Sequence, residues 1–494
     1  MIPARRPRCE FLSQVFIHKI VDEALALLEK HGVFVENPEA LRLFEDAGMA
    51  VDKSSRRVRI TPRLVEDCLA ATPPHFTLFD RSGEKACHVG GDVIHFNPGS
   101  AAVTILDPKM QAKRKPITRD LINFARLTDS LPHIHFQSTA LISADVPEDV
   151  ADAYRLLVGL QYCSKPVVTG TFRVEGFGFM RDMLAAVRGS SNALAEKPLA
   201  VFDACPSPPL KWSHLTSQSV MDCARAGIPS TFISMGMTGA TSPVTIAGTL
   251  VQHVAENLAG LAIAQLASKG APVVFGGSPS SFDMRKGTTP MGAIETMMID
   301  SAYAQIGKHL GLPTHAYMAL SDAKVVDAQS GLETGMGAML AALSGINIIS
   351  GPGMLDFESC QSLEKLVLDN EICGMALRLV KGIEPREDFP AQPLFEEMLK
   401  EQHLLIAQHT RRYLKAEHYF PGPVIDRANR ARWKEEGGLS LGARAHREVE
   451  RHVKNWQPSR LPDDVKQELI TLMEREAKRC GMDRLPDRPS YRSD

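Results

Sequence analysis

The sequence predicts an α/β fold: a (β/α)8 TIM barrel with an N-terminal α+β cap and a C-terminal helical extension. From about residue 92 to 382, a short β-branched or aromatic run is followed by a loop and a longer stretch with apolar residues at helical spacing, and this unit recurs eight times. The strand segments are apolar almost throughout, as expected when helices cover the outside of a parallel sheet. We therefore assign residues 1–91 to the cap, 92–382 to the catalytic barrel and 383–494 to the extension.

Strand and helix segments alternate along the barrel region. The strands are predicted at Val93–Asn97, Ile134–Leu141, Pro166–Phe172, Leu199–Ala204, Ser230–Met235, Pro272–Gly277, Thr314–Met318 and Ile346–Ser350. The helices are predicted at Thr118–Ser130, Asp149–Cys163, Gly176–Val187, Ser213–Ala226, Pro243–Ser268, Pro290–Leu310, Ala328–Leu343 and Ser362–Val380. Strict alternation of this kind predicts a closed parallel barrel.

Local signals support several helix starts. Ser242 and Thr289 each precede a proline, which places an N-cap residue before proline at the first helical position. Asp327 is a further N-cap candidate. These residues predict where three of the barrel helices begin.

The flanking regions follow different patterns. The cap is predicted to contain helices Val15–His31, Pro38–Ala47 and Thr61–Ala71 and strands Arg57–Ile60 and Phe76–Phe79. Beyond residue 390 we expect one long helix, Leu394–Ala416. The charged segment Arg427–Lys454 is typical of a solvated helical face, with a partner-docking surface as the alternative.

Composition excludes several classes of function. The 494 residues carry a formal net charge of −2, so nothing draws the protein to nucleic acid or anionic lipid. No apolar run reaches the roughly 18 residues that span a bilayer, which predicts a cytoplasmic protein. The nine cysteines lie singly without a C-x-x-C pair, and no H-E-x-x-H motif is present, so we expect no metal bound by this chain.

In barrels of this type the active site lies in the loops after the strands, so residues at strand ends are the candidates. Phe96 and Asn97, Phe172, Phe202 and Tyr317 occupy such positions, and Phe357 follows the last strand. The loop from Gly276 to Glu295 is rich in glycine and serine but contains no phosphate-binding motif. The pattern thus predicts a site at the carboxyl end of the barrel but does not indicate which reaction takes place there.

Several segments resemble the trimethylamine methyltransferase family, and the resemblance covers nearly the whole chain. They are Glu23-Ala-Leu-Ala-Leu-Leu-Glu-Lys-His-Gly-Val33, Val58-Arg-Ile-Thr-Pro-Arg-Leu-Val65, Asp283-Met-Arg-Lys-Gly287, Ser321-Asp-Ala-Lys-Val-Val-Asp-Ala-Gln329, Gly351-Pro-Gly-Met-Leu-Asp356 and Leu363-Glu-Lys-Leu-Val-Leu-Asp-Asn-Glu-Ile-Cys-Gly-Met375. The resemblance implies a corrinoid-protein-dependent methyltransferase built on a barrel. The archaeal trimethylamine enzymes carry pyrrolysine, whereas this chain has only standard residues, so it resembles the branch that demethylates quaternary amines such as glycine betaine.

This chemistry implies roles for the strand-end residues. Aromatic faces bind a fixed cation, so Phe96, Phe172, Phe202, Tyr317 and Phe357 are cage candidates, although any of them is alternatively barrel core. Asn97 is a further substrate-binding candidate. Glu295 and Asp322 are the candidate catalytic residues, because their acidic side chains, like that of Asp203, can supplement the cage. The alternative for each is that it caps a helix or pairs with arginine. For a betaine carboxylate, Arg285 is the first candidate and Lys324 the second, with a surface position as the alternative for each.

Two other interpretations stay open. A Schiff-base aldolase or lyase needs Lys324 or Lys165 buried at a strand end with a lowered pKa. A non-catalytic betaine-binding or scaffold protein is the second alternative. The sequence lacks the D-x-H-x-x-G cobalamin signature, so we expect no tightly bound cofactor and a corrinoid supplied by a partner protein. The resemblance also implies a homo-oligomer that acts on a small quaternary or tertiary amine.

Overall fold

The computed structural model of the protein describes residues 5–108, 111–386, 389–457 and 461–486. The N-terminal region forms helices α1 (Gln14–Lys30), α2 (Pro38–Asp46) and α3 (Pro62–Ala71) and strands β1 (Val33–Val35), β2 (Ala50–Asp52), β3 (Arg57–Arg59), β4 (His75–Phe79) and β5 (Lys85–Gly90). The side chains of Ser13, Asn37 and Thr61 accept backbone N–H groups at the starts of the three helices. Short polar caps therefore fix where these helices begin.

The predicted strand segments form one parallel sheet whose strands follow chain order around the barrel. Its strands are β6 (His95–Asn97), β9 (Gln137–Ser138), β10 (Val167–Thr169), β11 (Ala200–Ala204), β13 (Ser230–Phe232), β15 (Val273–Gly277), β17 (Thr314–Tyr317) and β18 (Ile348–Ser350). The barrel closes between β6 and β9. There the His135 amide donates to the Phe96 carbonyl at 2.8 Å, and Ala102 forms a β-bridge with Leu141. The prediction of an eight-stranded barrel is confirmed.

Helices cover the outside of the barrel, and short strands extend its loops. The helices are α4 (Thr118–Ser130), α5 (Ala151–Tyr162), α6 (Gly176–Arg188), α7 (Ser191–Glu196), α8 (His214–Ala226), α9 (Ile246–Ala267), α10 (Ile294–His309), α11 (Ala328–Ser344) and α12 (Leu363–Val380). The short strands are β7 (Thr104–Asp107), β8 (Ala112–Arg114), β12 (Lys211–Trp212), β14 (Met237–Thr238), β16 (Ser280–Ser281), β19 (Met354–Leu355) and β20 (Cys360–Gln361). A 3-10 turn, Glu148–Val150, precedes α5.

Two of the three predicted N-caps are wrong. Helix α9 is capped by Thr245, because Ser242 belongs to a tight loop in which its carbonyl accepts the Gly239 amide at 2.9 Å. Helix α10 starts after Ala293 rather than at Thr289. Asp327 does cap α11, since its carboxylate accepts the Ser330 amide at 3.2 Å. The extra loop residues before α9 and α10 lie at the carboxyl end of the barrel, where the loops are long.

Side chains alternate between the two faces of the barrel strands. Ile348 belongs to an inner apolar cluster, whereas Ile349 belongs to the outer core against the helices. The inner cluster contains Phe136, Val168, Val201, Val274 and Ile348 from the barrel, joined by Leu78, Cys87 and Val89 from the β4–β5 hairpin. The hairpin thus fills the lumen from the amino end, and side chains from the strand ends occupy the carboxyl end.

The C-terminal region forms α13 (Gln392–Glu401), α14 (Gln408–Glu417), α15 (Arg430–Glu435), α16 (Leu441–Asn455) and α17 (Asp463–Arg479). The single helix predicted at Leu394–Ala416 is wrong, because the chain leaves α13 at Gln402 with φ +60° and starts α14 six residues later. Within the charged segment, α16 buries Ala445, Glu448 and Val449 against the barrel helices. Among the described helices, none is long and apolar enough to cross a membrane.

Candidate active site

The carboxyl end of the lumen contains a layer of polar side chains. Asn97, Ser350 and Tyr317 are register partners on adjacent strands β6, β18 and β17 and therefore share one face. The Ser350 hydroxyl lies 2.9 Å from Asn97 Nδ2 and 2.8 Å from Nε2 of His315, one layer below. Burial lowers the pKa of His315 to about 3, so its imidazole is neutral. This layer forms the floor of the open end.

Asp203 lies above this floor at the end of β11. The Tyr317 hydroxyl donates to Asp203 Oδ2 at 3.4 Å, while Oδ1 of Asp203 is buried and has no hydrogen-bond partner among the described residues. Burial raises the pKa of Asp203 to about 7, and the Tyr317 hydrogen bond opposes this rise only in part. Asp203 is therefore a carboxyl group poised between its neutral and charged forms near physiological pH.

Glu358 brings a second carboxyl group to the same place from the loop after β18. Its Oε1 atom is buried without a hydrogen-bond partner in the described part of the chain, although the residue as a whole is partly exposed. Burial, followed by the charge of Asp203, raises the pKa of Glu358 well above its ordinary value. Two carboxyl groups within electrostatic reach of each other thus share one end of the lumen.

The backbone that carries Glu358 is strained. Asp356, Phe357 and Glu358 are consecutive non-glycine residues with φ of +51°, +56° and +67°. A left-handed conformation costs a non-glycine residue roughly 1–2 kcal/mol. Strain of this kind persists only where surrounding contacts over-determine the backbone, and it concentrates at functional sites. Lys113 provides one such contact, with its ammonium 2.6 Å from the Asp356 carboxylate.

The site is suited to a cation rather than to nucleophilic catalysis. Orphaned carboxyl oxygens attract positive charge, and the Tyr317 ring adds an aromatic face beside them. Burial raises the pKa of the nearby Cys205 thiol to about 12, so it is not a thiolate. The described residues contain no group of three or more His, Cys, Asp or Glu side chains placed to hold a metal ion.

The predicted site residues separate into those that reach the lumen and those that do not. Asn97 and Tyr317 face the lumen, as described above. Phe96 and Phe202 are fully buried in the outer core, where the Phe202 ring lies 5.2 Å from the Phe177 ring of α6. Their placement argues against contact with a ligand inside the barrel, because an outward position on a barrel strand packs against helices.

The two predicted catalytic acids lie outside the lumen layer. Glu295 is exposed in the first turn of α10, where an acidic side chain complements the helix dipole. Asp322 is buried and accepts the amides of Met291 and Gly292 at 3.0 and 2.8 Å, so it anchors the loop before α10. Burial raises the pKa of Asp322 to about 6. Both positions favour the structural alternative considered for these acids.

The predicted carboxylate ligands are also at the surface. The Arg285 side chain is 87% exposed and forms an ion pair with Asp283 at 2.9 Å. The Lys324 ammonium lies 3.8 Å from the centre of the Phe357 ring and 3.5 Å from the Asp356 carboxylate, and the side chain is 59% exposed. Lys324 and Phe357 therefore contact each other and brace the strained turn, which leaves the Phe357 face occupied by a cation of the protein itself.

Phe172 lies at the rim beside a buried guanidinium. It is partly exposed, and Cζ of Arg155 lies 4.4 Å from the centre of its ring. Arg155 donates to the Thr139 carbonyl at the end of β9, while its Nε atom has no partner among the described residues. The same rim approaches Asp203, because a Cβ atom on Gly170 would lie 3.2 Å from the Asp203 carbonyl. Arg155 is thus a buried basic group beside Phe172, and Asp152 is its acidic neighbour.

A Schiff-base lysine is not supported by the geometry. Lys165 is buried with a pKa lowered by desolvation, but it precedes β10 and so lies at the amino end of the barrel. Its ammonium donates to the carbonyls of Thr128, Leu131 and Ile134 at 2.6–2.7 Å, which holds it away from any substrate. Lys324 is exposed and paired, so neither lysine meets the requirement.

Sequence reasoning missed the role of Glu358, His315, Ser350 and Arg155 and gave Asp203 only a supplementary one. Ser350 and Asp203 were at recognisable strand ends. Glu358 lies eight residues beyond β18, and no short sequence signal marks a left-handed turn made without glycine. Arg155 lies within α5, and its position at the rim depends on the packing of that helix.

Comparison with known proteins extends these observations. The family model described as trimethylamine methyltransferase matches residues 1–481. The trimethylamine methyltransferase MttB of Desulfitobacterium hafniense strain DSM 10664 / DCB-2 is 31% identical over 468 residues, covering 95% of this chain and 94% of that protein. Glycine betaine methyltransferase of Desulfitobacterium hafniense strain Y51 is 31% identical over 477 residues, covering 96% and 98%. Among solved structures, the monomethylamine methyltransferase MtmB of Methanosarcina barkeri matches with a TM-score of 0.44 and 13% identity, covering 94% of this chain and 95% of that one.

Proposed function

This chain belongs to the trimethylamine methyltransferase family, and we propose that it moves a methyl group from a quaternary amine, glycine betaine or a similar betaine, to Co(I) of a separate corrinoid protein. The observation that carries the proposal is the pair of buried carboxyl groups, Asp203 and Glu358, beside Tyr317 at the open end of the barrel. Buried carboxylates without partners are costly, and a bound cation removes that cost.

The groups at this site can bind a quaternary amine. A quaternary nitrogen has no N–H to donate, so it is recognised by charge and aromatic faces rather than by directed hydrogen bonds. Asp203 offers charge near neutral pH, and Glu358 offers a second carboxyl group that can ionise beside a cation. Tyr317 offers a ring face and holds the second Asp203 oxygen. These groups together match a methylated cation.

The residues position and desolvate the substrate. The Co(I) corrinoid of the partner protein would supply the nucleophile for methyl transfer. The C–N bond breaks with its electron pair on nitrogen, so the leaving group is a neutral tertiary amine and no proton has to be delivered. Accordingly, the neutral His315 and the protonated Cys205 thiol need no acid or nucleophilic role. Asp203, Glu358 and Tyr317 hold the nitrogen deep in the lumen so that one methyl group points toward the opening.

The rim around the opening is suited to a docked partner. Val103, Phe172, Met235, Val244 and Met284 are large apolar side chains in the loops after barrel strands, and each is 39–70% exposed. Clustered exposed apolar residues mark interaction surfaces in soluble proteins. A Cβ atom on Gly239 would lie 2.8 Å from Met284 Cε and 3.5 Å from Val244 Cγ2, so two of these residues are contiguous. This rim supports the approach of a corrinoid-bearing protein.

Arg155 is the candidate partner for a betaine carboxylate in place of the exposed Arg285. Its guanidinium is buried beneath Phe172 at the rim, with Asp152 as its acidic neighbour. A planar fork of donors suits a carboxylate. A betaine would then have its nitrogen toward Asp203 and Glu358 and its carboxylate toward Arg155.

A methyl-transfer screen tests the proposal. Purified protein is mixed with reduced cob(I)alamin and, in turn, glycine betaine, proline betaine, carnitine, choline and trimethylamine, and loss of Co(I) absorbance is followed together with the demethylated product by mass spectrometry. We expect turnover with a betaine, loss of turnover in Asp203→Asn and Glu358→Gln, and near-normal turnover in the exposed control Arg285→Ala. Arg155→Met should reduce turnover of glycine betaine far more than that of choline. Binding of glycine betaine without any methyl transfer would favour the non-catalytic alternative.

A further inference from the structure

A segment of the C-terminal region exposes an unusual number of apolar side chains. Residues 389–407, which we call the arm, contain α13, and no residue of that helix is buried. Phe389, Phe395, Leu399, Leu405 and Ile406 are 53–79% exposed. Monomeric proteins seldom expose contiguous apolar patches of more than a few hundred Å². The arm therefore has the composition of an interface element.

The walls of an open groove flank the arm in sequence. The groove has a volume of about 1080 Å³ and lies between the C-terminal end of α12 and the segment from α14 to Phe420. Leu377, Val380, Leu414 and Phe420 provide apolar lining, and Lys381 and Lys415 add positive charge. The chain leaves one wall at α12, forms the arm and returns as the other wall. Arm and groove are thus parts of one surface.

The arm and the groove are complementary in charge. Helix α13 carries Glu396, Glu397 and Glu401 beside its apolar face of Leu394, Phe395, Met398 and Leu399. Glu396 and Glu397 form no ion pair with any described residue, and neither do Lys381 and Lys415 of the groove. An acidic amphipathic helix fits an apolar groove with a basic edge.

The exposed apolar area is enough for a stable contact between copies. Eight large apolar side chains between Ile383 and Phe420 are 40–88% exposed. At roughly 100 Å² each they present about 800 Å², the area that one partner contributes to a standard interface. A surface that carries both an element and its complement makes reciprocal contacts across a twofold axis.

We propose that the arm of one copy of this chain lies in the groove of a second copy, and the reverse, so that the protein assembles through an exchange of α13. The contact buries the apolar face of α13 against Leu377, Val380, Leu414 and Phe420. It places Glu396 and Glu397 near Lys381 and Lys415 of the other copy. This contact lies away from the carboxyl rim, because the groove is also lined by Asp92 and Val93, which precede β6 at the amino end of the barrel.

The first test is the mass of the full-length protein in solution, measured by light scattering after gel filtration at micromolar concentration. We expect at least twice the 54.1 kDa of one chain. The double variant Phe395→Asp/Leu399→Asp should have the mass of a single chain. The matched control, Val244→Asp/Met284→Asp, changes two exposed apolar residues at the carboxyl rim and should keep the wild-type mass. A monomeric wild type, or an arm variant that remains assembled, overturns the proposal.

Charge exchange and cross-linking give an independent test. Glu396→Lys/Glu397→Lys and Lys381→Glu/Lys415→Glu should each weaken assembly, and mixing the two variants should restore it. A Leu399→Cys copy and a differently tagged Leu414→Cys copy should form a disulfide between them under mild oxidation. If a copy carrying both cysteines links only within itself, the arm folds back onto its own groove and the exchange is refuted.

Discussion

The two ends of the barrel differ in how well their buried groups are satisfied. At the amino end, the β4–β5 hairpin inserts Leu78, Cys87 and Val89 into the lumen and fills it with apolar contacts. At the carboxyl end, Asp203 and Glu358 are buried with oxygens that no described residue satisfies, and one of them stands on a left-handed turn. The contrast indicates that the amino end stabilises the fold, whereas the carboxyl end carries backbone strain and unpaired carboxyl oxygens that cost stability.

The largest expected effect comes from neutralising the carboxyl end. Asp203→Asn removes a negative charge from the site, and Glu358→Gln removes a carboxyl group that can ionise beside a bound cation. Loss of one partner of a buried ion pair costs about 3–5 kcal/mol, so we expect methyl transfer to fall by 10²-fold or more. The measurement is kcat/KM for the substrate found by the screen.

Asp203→Asn should also be more stable than the wild type at pH 8, which separates its effect from a folding defect. The pKa of Asp203 is raised by burial, so its contribution favours folding while the group is protonated and is lost as pH rises through about 7. Asparagine lacks this titration, and thermal unfolding should show the gain at pH 8 but not at pH 4. A less stable Asp203→Asn protein at pH 8 would contradict the assignment.

At the amino end, Leu78→Ala should lower the stability of the protein and leave substrate binding unchanged. A fully buried leucine in a packed plug leaves a cavity, and such changes cost about 2–5 kcal/mol of the free energy of unfolding. The substrate KM should stay close to that of the wild type, because the plug does not line the cation site. Chemical denaturation and steady-state kinetics check both parts, with Val15→Ala, at an exposed position in the first turn of α1, as the control. A large change in KM would show that the two ends are coupled.

The pH dependence of binding sharpens the contrast further. Because the pKa of Asp203 is about 7, its charged form rises from about one tenth to about nine tenths between pH 6 and pH 8. The affinity for a quaternary cation should rise roughly tenfold over this range. Titration calorimetry with tetramethylammonium at each pH measures it, and Asp203→Asn should flatten the curve. An affinity that falls with rising pH would exclude Asp203 as the cation partner.

The smallest effect is expected from relaxing the strained turn. Phe357→Gly gives the left-handed position a residue that adopts it freely, so the relief of roughly 1 kcal/mol of strain partly offsets the lost Lys324 contact. We expect methyl transfer to fall several-fold because Glu358 is less firmly placed, with little change in unfolding temperature. Unchanged activity would mean that the turn does not position Glu358.

The barrel was predictable from the sequence because its signal is repeated. Each strand segment recurs with the same apolar pattern, so errors at single boundaries, such as Val93 or Met235, did not alter the fold. The helix starts after Ser242 and Thr289 failed because a serine or threonine before proline is equally compatible with a tight loop. The prediction of one long C-terminal helix was wrong because the helix ends at Gln402, which adopts a left-handed conformation although it is not a glycine.

The site was only partly predictable, because the end of a strand can be located in the sequence but the face on which each side chain lies cannot. Asn97 and Tyr317 face the lumen, whereas Phe96, one residue away from Asn97, faces the helices. A shift of one residue reverses the face of a strand, and the sequence alone does not fix the boundary closely enough. Glu358 and Arg155 reach the open end through loop and helix packing that only the assembled fold determines.

Strand β1 has a consequence for how this protein tolerates shortening or recombination. Phe34 and Val35 pair with Lys211 and Trp212 of β12, in the loop that starts just after Asp203. The N-terminal region is therefore hydrogen-bonded through β1 to the loop beside Asp203 and Glu358, although it lies far from that loop in sequence. A gene trimmed to its barrel-coding portion, or a chimera joined between these two positions, would release that loop even if every barrel strand were retained.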